Sequence, residues 1–155
     1  MNYYRVTKYS PAYRDERGFY TRDEWTSYSD IGETFSGVLL TKNDYLKVEK
    51  HYISFCVDLW KLSGGKPLKV CEFEKSKSHK SIMIPETISD EKELAFAVQS
   101  VLREKCWFIL KRYGFFAHFG YDYYMYVGTM IDEKTVMELA RRKELFCEPM
   151  KSPYL

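Results

Sequence analysis

The 155-residue sequence has little of what most catalytic signatures are built from. Its eight glycines never fall into Gly-x-x-x-x-Gly-Lys-Ser/Thr or Gly-x-Gly-x-x-Gly, so neither common phosphate-cradling loop is present. A Gly-x-Ser-x-Gly elbow is absent, and with it the commonest serine-hydrolase geometry. So is the short glycine-rich turn after a strand that would hold acetyl-CoA. His-Glu-x-x-His does not occur, and three scattered histidines make no usual catalytic zinc set. No cofactor and no metal are expected. The four cysteines, Cys56, Cys71, Cys106 and Cys147, form no Cys-x-x-Cys pair and read as reduced, structural residues. No apolar run approaches the roughly 20 residues that cross a bilayer. Met1–Arg5 has no apolar segment of the signal-peptide kind. A cytoplasmic location without membrane partners is the expectation. Net charge is only +2, from 24 basic and 22 acidic residues, so no long-range field steers the chain to nucleic acid or anionic lipid.

Aromatic side chains are abundant instead: 14 Tyr, 10 Phe and 3 Trp, or 17% of the chain. Tyrosines cluster at positions 3, 4, 9, 13 and 20 and again at 121, 123, 124 and 126. A tyrosine is apolar in body and polar at its tip, which suits hydrated core rims, clefts and interfaces alike.

The pattern along the chain predicts one α+β domain over residues 1–155. Its sheet is small and mixed or antiparallel, with two long helices and one short helix packed largely on one face. Residues 2–9 read as a strand. Residues 10–34 form a long loop rich in turn chemistry, with at most one helical turn near Trp25–Ser29. Phe35–Leu40 is a short strand. Thr41 caps a helix whose apolar stripe runs through residues 45, 48, 52, 55, 56, 59 and 62 and stops at Gly64-Gly65. Leu68–Glu74 alternates as a strand, Lys75–Lys80 is a basic loop, and Ile82–Pro85 is briefly extended. A second long helix is expected from Ser89 to Tyr113, with Gly114 as its cap. Phe115–Phe119 and Tyr121–Gly128 read as one bent strand or two pieces hinged at Gly120. Asp132 caps a last helix to about Lys143, and an irregular tail follows from Cys147 to Leu155.

Three constellations carry chemistry. On one extended strand His118, Asp122, Tyr124 and Tyr126 would share a face, and a bend at Gly120 would be needed to bring the carboxylate to the imidazole. That pair is the basis of an enzyme or small-ligand reading. Trp25, Tyr28, Asp30 and Glu33 lie on the long loop, where binding residues concentrate. The acids Asp15, Glu16, Asp23, Glu24, Asp30 and Glu33 there outnumber Arg14, Arg17 and Arg22, which suits a basic partner. Lys75, Lys77, His79 and Lys80 offer phosphate contacts, but no RNP-like motif accompanies them, so nucleic-acid binding through this loop is disfavoured. Arg141, Arg142 and Lys143 complement the end of the last helix.

The segments Glu24-Trp25-Thr26-Ser27-Tyr28-Ser29-Asp30-Ile31-Gly32 and His118 to Gly128 resemble stretches of uncharacterised small proteins of Gram-positive bacteria. In size and character the chain is similar to single-domain immunity proteins of polymorphic toxin systems. That resemblance implies a non-enzymatic protein-binding module that occludes a toxin partner. The contact residues expected for it are Trp25, Tyr28, Asp30 and Glu33 on the loop, with Tyr124 and Tyr126 on the sheet. An RNA-binding accessory role is the remaining alternative.

Overall fold

Alternation of Tyr4 and Val6 with more polar neighbours makes Asn2–Thr7 a half-buried strand, β1. The computed structural model describes every residue from Met1 to Leu155. After β1 the chain crosses two short 3-10 turns, Pro11–Tyr13 and Tyr28–Asp30, so the long loop has one more helical turn than its sequence suggests. The expected second strand is a two-stranded hairpin, Thr34–Phe35 (β2) and Val38–Leu39 (β3), turning at Ser36-Gly37.

Helix α1, Lys42–Leu62, follows its sequence signals closely. The Thr41 hydroxyl accepts from the Asp44 amide at 3.1 Å and donates to the Asp44 carboxylate at 2.8 Å. Its buried stripe holds Tyr45, Tyr52, Phe55, Cys56 and Leu59, with Glu49 buried among them. Strand β4, Leu68–Lys75, contains a bulge between Cys71 and Glu74, where Glu72 takes φ 55°. Residues Ile82–Pro85 form no strand, and the brief extended piece lies just beyond, at Thr87–Ile88 (β5).

The second helix is shorter than its apolar spacing implies. α2 covers Glu91–Leu102, and Cys106–Arg112 is a strand, β6. The residues expected at one helical spacing, Cys106 and Ile109, therefore point to opposite faces of a sheet. The chain reverses at Glu104, which adopts φ 58° with no glycine to announce the turn. Gly114 (φ 76°) closes the β6–β7 hairpin instead of capping a helix. Strands β7, Phe115–Phe119, and β8, Met125–Thr129, are two antiparallel pieces, with His118 opposite Tyr126. Helix α3, Glu133–Arg142, starts at the Asp132 cap. The tail is not wholly irregular: Phe146–Pro149 forms β9 against β1, with its proline on a sheet edge where no ladder N–H is missed.

The seven main strands form one antiparallel sheet in the order β5-β4-β6-β7-β8-β1-β9. Of the three helices, of 21, 12 and 10 residues, only the first is long. They cover one face, where Tyr4, Val6, Phe108, Leu110, Phe115, Ala117, Met125 and Val127 join the helical stripes in a single core of 31 buried residues. No helix covers the other face, which carries a small cluster of Ile109, Phe116 and Tyr126. The four cysteines are unpaired, and burial pushes the thiols of Cys56 and Cys147 up to about 12 and that of Cys106 up to about 11. No helix is long and apolar enough to cross a membrane.

Candidate functional sites

The long loop is fixed by an aromatic and ionic knot at the end of the helical layer. Tyr123 sits at the tip of the β7–β8 hairpin, where Asp122 and Tyr123 both take positive φ (58° and 65°), and this geometry drives the Tyr123 ring inward. Its hydroxyl bonds that of Tyr45 and donates to the Leu102 carbonyl at 3.1 Å. Its carbonyl accepts from the Tyr52 hydroxyl at 2.8 Å. Tyr45 in turn donates to Glu49 at 2.6 Å, and Arg103 grips the same carboxylate with two bonds of 2.8 Å. A bidentate guanidinium offsets much of the cost of burying Glu49. Desolvation raises the titration of Tyr9, Tyr45, Tyr52 and Tyr123 far above the ordinary phenol value.

The loop residues singled out in the sequence are woven into this knot. The Trp25 ring meets Tyr45 at 5.4 Å and Tyr123 at 5.0 Å, and the Lys8 ammonium lies over it at 4.1 Å. Lys8 also pairs with Glu24 at 2.9 Å, and burial lowers its titration. Tyr28 packs edge-on against Tyr45 at 5.0 Å, with Arg103 over its ring. Asp30 closes a capping box by accepting from the amides of Thr26 and Ser27. Glu33 alone among them is exposed with its carboxylate unengaged. Tyr124 is half-buried and accepts from Arg14 at 2.9 Å. Tyr126 is buried on the open face, its ring stacked 6.5 Å from His118.

His118 and Asp122 are not brought together. The bend at Gly120 exists, but it belongs to a hairpin loop in which the Gly120 amide donates to Tyr124, leaving Asp122 at the exposed tip. There the Asp122 carbonyl accepts from the Tyr9 hydroxyl at 2.7 Å. Burial lowers the His118 titration, and the charges acting on it are Glu72 and Lys111. In the basic loop, Lys75 donates to the Lys80 carbonyl at 3.1 Å and His79 bonds Ser76 at 2.8 Å, so two of its four polar groups are already used locally. Nowhere do three His, Cys, Asp or Glu side chains converge as a metal site would require.

Two of the concavities bear on the candidate residues. One, of about 350 Å³, lies between the loop and the β2–β3 hairpin, lined by Trp25, Phe35, Val38, Leu39, Asp23 and Asp44. The other, of about 270 Å³, lies on the open face, lined by Glu74, Trp107, His118, Tyr121 and Tyr154. The residues that sequence reasoning missed are Lys8, Glu49 and Arg103 in the knot and Trp107, Lys69 and Lys111 on the open face. Glu49 had a signal, since it stands four residues after Tyr45 and interrupts the apolar stripe of α1.

Compared with family models, with curated proteins and with solved structures, the chain matches none of them.

Proposed function

We propose that this protein is a non-enzymatic protein-binding module that presents the loop-side concavity to a basic, partly apolar surface of another protein. The observation that supports this reading is the β2–β3 hairpin. It holds Val38 and Leu39 at 68% and 53% exposure beside a hollow lined by Asp23 and Asp44, with Arg22 the one cation on its wall. Neither of these two carboxylates forms an ion pair within the chain. Exposed aliphatic side chains next to a wall in which acids outnumber bases suit a partner that inserts a lysine or arginine stem between apolar contacts. Anchoring of the loop through Trp25 and Tyr28 favours binding, because little ordering entropy remains to be lost. The most concrete form of the reading is a cytoplasmic immunity protein or antitoxin that blocks a toxin domain.

Trp25 is a poor probe of this function, since its ring also packs on Tyr45 and Tyr123. Val38 and Leu39 are better probes, because both point to solvent. Wild type and a Val38→Asp/Leu39→Asp variant serve as parallel baits in the native host's lysate. A protein retained by the wild type and lost by the variant, with affinity that falls as salt rises, is the expected result. A toxin domain in that role gives the immunity form. Absence of any protein that distinguishes the two baits overturns the reading.

A further inference from the structure

We infer that the open face of the sheet binds a nucleotide, its base in the hollow at His118 and its phosphate on Lys69 and Lys111. This site lies on the sheet surface, away from the loop-side concavity, and does not rest on the protein-binding reading.

The first support is the hollow itself. At about 270 Å³ it falls just under the usual range of small-molecule pockets, about 300–1,000 Å³, which suits one planar ring system. Its walls are aromatic: Trp107 from β6, Tyr121 from the hairpin and Tyr154 from the tail, whose ring meets His118 edge-on at 4.9 Å. Every nucleobase has a π face that such rings accept. His118 Nδ1 is buried and has no partner in the protein. A neutral imidazole carries one proton, and placing it on the accessible Nε2 avoids burying an unpaired N–H. The hollow then offers an N–H donor from His118 and an acceptor from the exposed Glu74 carboxylate. That pairing recognises a ring bearing both an acceptor nitrogen and an amino group, as adenine and cytosine do.

The second support is a pair of like charges. Lys69 and Lys111 stand directly opposite each other on β4 and β6, on the face away from the core. Opposed like charges destabilise a ladder unless an anion bridges them. Neither lysine has an ion-pair partner, and Glu86 is the one carboxylate lining the groove they share. Lys111 pairs with Phe116, two residues along β7 from His118. Lys111 and His118 are thus about one cross-strand diagonal apart, roughly 7–8 Å, and Lys69 stands one strand beyond Lys111, within reach of the same phosphate through its long flexible stem. A ribose between a base and its 5′-phosphate bridges such a step. The bulge at Glu72 interrupts the β4–β6 ladder between Lys69 and Glu74. With a net charge of +2 the recognition is local, and its salt dependence is shallow.

The test is calorimetric titration of the protein with AMP, CMP, GMP and UMP, with ribose 5-phosphate and inorganic phosphate as base-free controls, and with adenylate and cytidylate decamers. AMP or CMP is expected to bind and to shift the His118 ring resonances. Lys69→Ala/Lys111→Ala is expected to weaken that binding about tenfold without loss of folding, because the substitution relieves a repulsion. His118→Ala weakens it by a similar factor. A decamer bound at least tenfold more tightly than its monophosphate assigns the site to single-stranded RNA, and equal affinities assign it to a free nucleotide. Three outcomes overturn the inference: no binding by any nucleotide or decamer, base-free phosphates binding as tightly as nucleotides, or affinity indifferent to the lysine pair and His118. The Val38→Asp/Leu39→Asp variant binds nucleotide normally, which separates this site from the protein-binding surface.

Discussion

On the helix side of the sheet, Tyr9, Tyr45, Tyr52 and Tyr123 each set the hydroxyl against a protein partner, whereas on the open side the phenols of Tyr121 and Tyr154 and the ring of His118 have none. The side-chain types are alike and the residues are close in sequence, yet one group is spent on folding and the other is left available. Aromatic content therefore does not by itself mark a binding surface. The distinguishing quantity is whether each polar tip is satisfied. By that measure the knot around Tyr45 and Tyr123 is structure, while the hollow around His118 keeps a buried nitrogen without a partner, as the helix-side core does at the Tyr4 hydroxyl.

The sharpest way to break the comparison is to attack the knot. Glu49→Ala leaves Arg103 half-buried without its carboxylate and removes the acceptor of Tyr45. Breaking one side of a buried pair costs about 3–5 kcal/mol. At about 2–4 °C per kcal/mol for a chain of this size, melting falls by on the order of 10 °C. Adding Arg103→Met should restore part of that loss, because an unpaired buried charge is the main cost. Glu49→Ala melting within 2 °C of wild type would show that the network is not what holds the loop. A smaller effect is expected of Tyr123→Phe. It removes a hydroxyl bonded to Tyr45 and to the Leu102 carbonyl, at a cost of about 1–3 kcal/mol for the groups left unpaired. Denaturant unfolding measures it, and an unchanged midpoint would mean that water enters and replaces the phenol.

How legible these regions were in the sequence follows from the same division. Helix α1 announces itself through the Thr41–Asp44 cap, a 3.6-residue stripe and the glycines after it, all local signals that tertiary packing did not override. Cys106–Arg112 does not, because a central strand buried on one face and half-buried on the other reads as apolar at helical spacing too. The turn that separates it from α2 uses Glu104 in a left-handed conformation, where a glycine would have signalled the break. That one misreading hid the shared open face, since Trp107 and Lys111 face the same way as Lys69 only if the segment is a strand. The link between His118 and Asp122 was misjudged for a related reason. Period-two alternation ends at Gly120, and a residue at a hairpin tip shares no face with the strand before it.

The smallest predicted effect distinguishes the two regions by pH alone. Tyrosines of the knot titrate above the ordinary phenol value of about 10, so the folded state holds protons that the unfolded chain releases, and their contribution to stability declines only as pH rises beyond that point. His118 behaves oppositely. Burial outweighs the pull of Glu72 and holds its titration below the ordinary value of about 6.5, so the unfolded chain binds the proton first. Its contribution is complete above that value and is lost as pH falls through it. His51 shifts in the same direction, burial outweighing its pairing with Glu144 at 3.1 Å. Between pH 7.5 and 5.5 the tyrosines of the knot are silent, and His118 and His51 supply a slope in which unfolding free energy falls with acidification. His118→Phe should flatten part of that slope, and His51→Gln the remainder. Chemical denaturation at five pH values decides the matter. A wild-type curve that is flat, or that rises toward acid, would mean the ring is solvated and the hollow is an ordinary surface dimple. A slope carried by His51 alone would leave His118 as open to water as the unfolded chain.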